Sequence, residues 1–498
     1  MHYSLQRLSN AGSDAMHKLK RYEKLADEIS GLIRTGILGP NDRIPSVRLA
    51  CQTHDVSPAT VFKAYYLLED RGLIEARARS GYYVRQHARG NLAEPEMGRH
   101  ETIAQDVDVS DLVFSVLDSL RNPHTVPFGS AFPGADLFPL ARLAKSMGQG
   151  LRTVSSHQII TDQTGGNDSL KRQIALRYML SGVLLPLEEL VITNGAMEAL
   201  NLCLQVVTSP GDLIAIEAPA FYASLQVLER LKLKAVEIPV HPRDGIDLDA
   251  LEDILSKMPV KACWFMSSFQ NPMGTSINHE RKLRLIELLN RHQTPLIEDD
   301  VYSELYFGSH PPSPMKTYDA EGLVMHCGSF SKSLAPGYRV GWVAGGRFAS
   351  KIFQLKLMTT ISPSVPAQIA IADYLQHGGY DRHLRKLRQS LEAQQQAMLA
   401  AAAKYFPSET KVTRPVGGYF LWFEFPKQVD ALKLFKVALS QGISLAPGPI
   451  FSATRAFRNC ARLNYGHPWG KDSELAMEML GKILSSFSSK EDDATSLA

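Results

Sequence analysis

The feature that most restricts this chain is an alternation that runs from residue 107 nearly to its end. Short apolar runs lead into helical patterns: "LVIT" into "GAMEALNLCLQVV", "DLIAIEAP" into "FYASLQVLERL", while "ACWFMSSF" and "PLIEDD" are each flanked by helical stretches. A strand apolar on both faces must be covered on both, and strand–helix alternation supplies that cover. The pattern therefore predicts an α/β fold with a mostly parallel sheet sandwiched by helices. In such sheets ligands gather beyond the carboxyl ends of the strands, and the polar residues of interest fall there.

The first 90 residues follow another rule. From Lys18, the residues Tyr22, Leu25, Ala26, Ile29, Leu32 and Ile33 recur at helical spacing and stop at Gly36. After the turn "GPNDRIPS", Ser46 caps a short helix carrying Leu49 and Ala50. Ser57 and Pro58 open a third helix with the stripe Val61, Ala64, Tyr65 and Leu68. "LIEAR" and "YYVR" then read as two strands around "ARSG". This order predicts a winged helix-turn-helix over residues 18–85. Its third helix turns Ser57, Ala59, Thr60 and Lys63 away from the stripe and offers first-turn N–H groups to a phosphate. Arg43, Arg48, Arg77, Arg79 and Arg85 are placed for the backbone or a minor groove. Pattern alone leaves open a small helical interaction domain with a solvated basic face.

Charge supports the first reading. The opening 90 residues hold 14 Lys and Arg against 9 Asp and Glu, the remainder 40 against 42. A basic head on a near-neutral body suggests a polyanion partner for the head only, and among polyanions the helix order suits double-stranded DNA.

A length of 498 residues calls for two or three domains. Residues 86–106 are polar without a sustained period and read as a linker; 486–498 read as a disordered tail, and the first 15 as an unstructured extension. No run of about 18 apolar residues predicts a membrane span, and the N-terminus lacks the apolar region of a signal peptide. The five cysteines are scattered without a CxxC pair. That fits a reducing cytoplasm without a disulfide framework or zinc site, and DNA binding by the head would associate the chain with the nucleoid.

In the body each strand end is ambiguous alone. "TNGAMEAL" starts a helix whose N–H groups at Gly195, Ala196 and Met197 can cradle a phosphate, though most such turns are plain connections. Phe221, after a strand and a proline, would ordinarily be core. "SSFQNPMGT" holds the amide of Asn271 in a rigid turn. "PLIEDDVYSELYF" sets Asp299 at the mouth of an apolar strand, with Tyr302 three residues on. Paired acids there could instead bind a metal, but no histidine cluster completes such a site.

"MHCGSFSKSLAPGYRVGW" places Ser329, Ser331 and Lys332 after an apolar strand, with Arg339 seven residues on. A lone lysine is usually a solvated charge; buried, its pKa falls and it becomes a nucleophile toward aldehydes. Together the set asks for a phosphate, a ring to stack on, a ring nitrogen wanting an acid, and an aldehyde. Pyridoxal 5′-phosphate has all four.

Two resemblances carry the reading further. "DRIPSVRLA…VSPATVFKAYYLLEDRGLIEARARSGYYV" resembles the winged helix of GntR-type regulators, which implies DNA contacts at Arg48, Thr60 and the wing around Gly81. The ordered motifs GA-x-E-A-L, P-x-F, NP-x-G, D-x-x-Y, SFSK with a later Arg, and "CARLNYG" resemble fold-type I aminotransferases over residues 107–485. Head and body together resemble the MocR subgroup of bacterial regulators. This implies that Lys332 condenses with the cofactor's aldehyde, Asp299 holds the ring nitrogen, Asn271 and Tyr302 bond the ring oxygen, and Phe221 stacks. It also implies that Ser329, Arg339, Ala196 and Met197 hold the phosphate, Arg462 binds an α-carboxylate, and the chain is a homodimer. Two positions depart from the family: Thr161 stands where a tyrosine usually reaches the partner's phosphate, and Met197 replaces a polar residue.

The expected function is a cofactor-binding transcriptional regulator that senses pyridoxal phosphate or an amino compound. The alternative is a working aminotransferase of α-amino acids that carries a DNA-binding head. A degenerate scaffold fits poorly with an intact Lys–Asp–Asn–Tyr–Arg set.

Overall fold

The structure, a computed structural model, describes residues 21–34, 38–39, 42–70, 73–77, 80–84, 92–98, 103–119, 125–308, 310–377 and 379–488. The chain divides into two compact units at residues 91 and 92.

The head contains α1 (Arg21–Arg34), α2 (Val47–His54), α3 (Pro58–Asp70) and the antiparallel hairpin β1 (Ile74–Arg77) with β2 (Gly81–Val84). Ser46 caps α2 by accepting the Leu49 N–H at 3.3 Å, and Asp55 ends it in the left-handed conformation. Ser57 does the same for α3, accepting the Thr60 N–H at 3.2 Å. The stripe Val61, Ala64, Tyr65 and Leu68 is fully buried against Leu25, Ala26, Ile29, Ile44, Ala50, Ile74 and Val84. Two expected core positions are instead on the surface: Leu32 and Leu49 are 39% and 51% exposed. Helical period admits residues at the margin of a stripe, and a core this small covers only its centre. The wing is tied back to the loop before α2, since Ile44 N donates to Tyr82 O at 3.0 Å and Val84 N to Asp42 O at 2.8 Å.

The body is built on β3 (Ala104–Asp106), β4 (Leu190–Thr193), β5 (Leu213–Ala218), β6 (Lys234–His241), β7 (Gly245–Ile246), β8 (Val260–Phe265), β9 (Leu296–Asp299), β10 (Val324–Ser329) and β11 (Gly341–Ala344). The order is β3-β6-β5-β8-β9-β10-β11-β4, with β7 on β6. β6, β5, β8, β9 and β10 run parallel; β3 and β11 are antiparallel to their neighbours. Both faces are buried, as the apolar strands require. Ala215, Val236, Cys263, Leu296 and Val324 pack with the helices Leu248–Lys257 and His279–His292. Ile214, Ile216, Ala262, Ile297 and Met325 pack on the other face with Ala196–Val207 and Tyr222–Leu231.

The helix Tyr380–Tyr405 leads to a smaller antiparallel sheet of β12 (Lys411–Val412), β13 (Phe420–Glu424), β14 (Ala446–Pro447) and β15 (Cys460–Asn464), ordered β12-β13-β15-β14. No helix among the described residues is long and apolar enough to cross a membrane.

The linker expected over 86–106 is shorter than its polarity implied. Residues 86–91 lie outside the described residues, but Leu92 is buried, Ala93 bridges Lys411, and Ala104–Asp106 pair with β6. A three-residue edge strand is too short to leave a period in sequence. The final helix, Lys471–Ser488, runs through the first three residues of the expected tail; 489–498, like the expected extension at 1–15, lie outside the described residues.

Candidate functional site

On the head, Arg43, Arg48, Ser57, Ala59 and Lys63 are exposed, and Thr60 is half-buried with its hydroxyl 2.9 Å from that of Ser57. Two exposed aromatics that the sequence reading passed over, Phe62 and Tyr66, stack on the same helix with centroids 6.3 Å apart. Gly81 has φ +111°, and a Cβ there would stand 3.2 Å from Arg43 Nε, so the wing turn needs glycine to seat that arginine. Arg77 pairs with Glu75 at 2.8 Å and lies over the Tyr83 ring. Arg79 and Arg85 lie outside the described residues.

In the body, β9 and β10 deliver an acid and an amine. Lys332 follows the end of β10, and its Nζ donates to Ala131 O at 2.8 Å and sits 3.6 Å from the Phe132 ring centroid. Burial, then the positive charge of Arg462 and to a smaller extent Arg339, bring the amine down to about 7 against the pull of Asp299. Asp299 is 2% exposed. Burial and the neighbouring Asp300 push its carboxyl up to about 7, against Lys332 and His326. Its Oδ1 is buried and receives no hydrogen bond.

A second group converges from far apart in sequence. Asn271 Nδ2 donates to the Tyr302 hydroxyl at 3.4 Å, and Arg462 Nη1 donates to Asn271 Oδ1 at 3.0 Å. Arg462, on β15, is fully buried; Nη2 donates to Gly129 O at 2.8 Å, while Nε has no acceptor. No described carboxylate forms an ion pair with it, and burial lowers its pKa. Burial likewise pushes the Tyr302 phenol up. Phe221, half-buried at the cap of Tyr222–Leu231, packs in the same apolar cluster as Tyr302.

The third group is an N-terminal cradle. Ala196 and Met197 begin the helix Ala196–Val207 behind Gly195, whose φ is +80°. A Cβ on Gly195 would stand 2.6 Å from Arg339 Nη2, so the guanidinium lies directly against the turn. Arg339 donates to Asn194 O at 3.0 Å and to Ser331 Oγ at 3.3 Å, and Ser329 Oγ donates to Ser331 Oγ at 3.1 Å. First-turn amides, a guanidinium and hydroxyls together form an anion site. Thr161 is exposed on the helix Ser156–Gly165, its hydroxyl donating to His157 O at 3.3 Å.

The sequence reading missed the segment that closes these groups together. Ala131 O receives both Lys332 and the Tyr419 hydroxyl, and Asn464 Nδ2 donates to Ser130 O at 2.9 Å and Phe132 O at 2.7 Å. The signal was "FGSAFPG", a glycine- and proline-rich turn between polar stretches.

The donor set fits a phosphorylated pyridine aldehyde: an unsatisfied buried acid oxygen for a ring N–H, an amine near 7 for an aldehyde, and the cradle for a phosphate. The unpaired guanidinium fits a carboxylate beside them.

Residues 138–476 match the family described as aminotransferase class I and II, and residues 21–84 match the gntR family of bacterial regulatory proteins. The chain is 45% identical over 466 residues to the "Uncharacterized HTH-type transcriptional regulator YdcR" of Escherichia coli (strain K12), covering 94% of this chain and 99% of that one. Among solved structures, the multiple substrate aminotransferase of Thermococcus profundus is 27% identical with a TM-score of 0.71, over 76% of this chain and 95% of that one. The α-aminoadipate aminotransferase LysN of Thermus thermophilus, complexed with N-(5′-phosphopyridoxyl)-L-leucine, is 27% identical with a TM-score of 0.68, over 76% and 99%. The chain belongs to the HTH-type transcriptional regulators that join a gntR-family head to a body of the aminotransferase class I and II family.

Proposed function

We propose that this chain is a DNA-binding regulator whose body holds pyridoxal 5′-phosphate and reads an amino compound at that site. The observation that carries the reading is the half-buried Lys332 with the buried Asp299, amine and acid both held near 7, in a chain with a gntR-family head. Lys332 would hold the cofactor's aldehyde carbon. Asp299 Oδ1 would accept the ring N–H, Asn271 and Tyr302 would bond the ring oxygen, and Phe221 would lie against the ring. Ser329, Arg339 and the amides of Ala196 and Met197 would hold the phosphate. When bound, the cofactor supplies an electrophilic carbon for amines and a pyridinium that accepts electrons from a breaking bond.

The chain's own residues supply the rest. A lysine near 7 is substantially neutral at physiological pH, so its nitrogen lone pair is available and it can carry a proton away from a neighbouring carbon. Asp299 ionises when a cation meets Oδ1, because the new partner offsets the burial that raised it. Arg462 orients a carboxylate, and its existing bonds to Asn271 and Gly129 fix the guanidinium in place. The completeness of this set also favours residual transamination of an α-amino acid as a second activity.

Regulation requires that the ligand prefer one arrangement of the chain, taken here as a homodimer. At the DNA, Arg43, Arg48, Arg79, Lys63 and the wing at Gly81 would contact the backbone, with Ser57 and Thr60 at the start of α3. The test is a mobility shift of operator DNA by the full chain, with and without pyridoxal phosphate and amino acids. The expected result is a change in apparent affinity on addition. An affinity indifferent to both would end the sensing reading and leave DNA binding intact.

A further inference from the structure

Alternate residues of a strand face opposite ways, and the acids at the end of β9 divide accordingly. Asp299 shares its face with Ile297, toward Lys332, while Glu298 and Asp300 turn to the face of Leu296. There Asp300 Oδ2 meets His326 Nε2 at 2.9 Å, His326 Nδ1 meets the Tyr178 hydroxyl at 2.6 Å, and Trp342 Nε1 donates to that hydroxyl at 3.0 Å. This network borders a cavity of about 460 Å³, walled also by Ile174, Val301 and Pro314. The size is that of a small-molecule site, and no residue assigned above except Ser329 lines it.

Most of the charge in its wall is already matched. Arg177 pairs with Glu304 at 2.6 Å and Asp381 at 3.2 Å, and Arg388 donates to Glu304 O and lies over the Tyr306 ring. Two groups keep unused hydrogen-bonding capacity. Asp300 is 7% exposed, and although its Oδ2 pairs with His326 at 2.9 Å, its Oδ1 is buried without a donor. Arg385 is exposed on the helix Tyr380–Tyr405 and forms no ion pair with any described residue. A buried carboxylate oxygen without a donor is costly, and a cation at the rim is where a carboxylate can be met without deep desolvation. The complementary molecule has a cationic N–H group to reach inward and a carboxylate to stay near the mouth.

We propose that this cavity is a second ligand site, taking a small ω-amino or ω-guanidino carboxylate whose cation donates to Asp300 and whose carboxylate meets Arg385. Its two anchors, Asp300 and Arg385, are not residues of the Lys332 site, and the proposal does not depend on the cofactor reading.

The test is calorimetric titration of the purified full chain with 4-guanidinobutyrate, a probe whose guanidinium does not condense readily with an aldehyde at neutral pH. Saturable binding is expected with no change in the near-ultraviolet spectrum. Asp300→Asn and Arg385→Gln should each weaken it by about tenfold or more, and so should replacing the probe by butylguanidine or butyrate. Arg385→Gln, at an exposed helical position, keeps the test valid should Asp300→Asn fail to fold. Absence of binding at about 10 mM probe overturns the proposal. So does an affinity unchanged in Arg385→Gln, or binding lost in Arg462→Ala but kept in both cavity variants, which would put the probe beside Lys332.

Discussion

Head and body treat their functional groups in opposite ways. The head keeps Arg43, Arg48, Ser57 and Lys63 in water and buries only a small apolar core behind them. The body buries Asn271, Asp299, Tyr302 and Arg462 to 2% exposure or less. A polyanion can be met by solvated charges, because counterion release supplies much of the affinity. A small molecule must be oriented and activated, and there desolvation is the source of the chemistry: it brings Lys332 down and Asp299 up until both stand at about 7. The head's groups therefore act as solvated charges, and the body's as reagents.

Lys332→Ala gives the sharpest separation of the two. It should abolish covalent capture of pyridoxal phosphate, read as complete loss of the visible absorbance band of a lysine-bound pyridoxal. Operator affinity of the cofactor-free protein should remain within about twofold, since surface charge on the head is untouched. A band that survives would show that another amine holds the cofactor and break the assignment.

Asp299→Asn should have the next largest effect, on the pH dependence of stability without cofactor. The carboxyl sits at about 7 in the folded chain against 3.8 ordinarily, so the native state keeps a proton that the unfolded state has released. Its contribution is present below pH 3.8 and is lost as pH rises through 7, by roughly 4 kcal/mol in all. Urea unfolding from pH 4 to 8 should show wild type losing stability relative to Asp299→Asn by that order. The other acids of the cluster, Glu298 and Asp300, and the cations His326 and Lys332 are common to both proteins. Parallel profiles would mean that Asp299 is not desolvated as described.

The same contrast explains what the sequence could disclose. The α3 stripe and the caps at Ser46 and Ser57 were legible because local spacing and capping act within a few residues. The sheet was legible from runs apolar on both faces. The body's polar set was legible only as an ordered series: Asn271, Tyr302 and Arg462 meet across 191 residues of chain, and no window contains more than a fragment of that triangle. The turn at Ser130–Phe132 escaped because it contributes backbone carbonyls, which any residue could supply. Leu32 and Leu49 misled because a periodic pattern records direction but not how far the core extends. The Asp300–His326–Tyr178 network was hidden in a plain apolar strand, where His326 occupies a position that valine or leucine would suit equally.

The smallest expected effect tests the head's side of the comparison. Arg48 is exposed on α2, so Arg48→Ala removes a solvated charge and leaves no buried partner unsatisfied. Stability should change by no more than about 0.5 kcal/mol. Operator affinity should fall by about 1 kcal/mol, nearly equally for operator and unrelated DNA, and the slope of log affinity against log salt should become shallower by about 0.9, as for one phosphate contact. Fluorescence anisotropy across a salt series measures both affinities and the slope, and urea unfolding measures the stability. A loss confined to the operator sequence would mean that Arg48 reads a base edge. The equivalent deletion in the body, Arg462→Ala, strips bonds from Asn271 and Gly129 inside a buried site, so removing the same guanidinium there reaches packing, orientation and ligand at once.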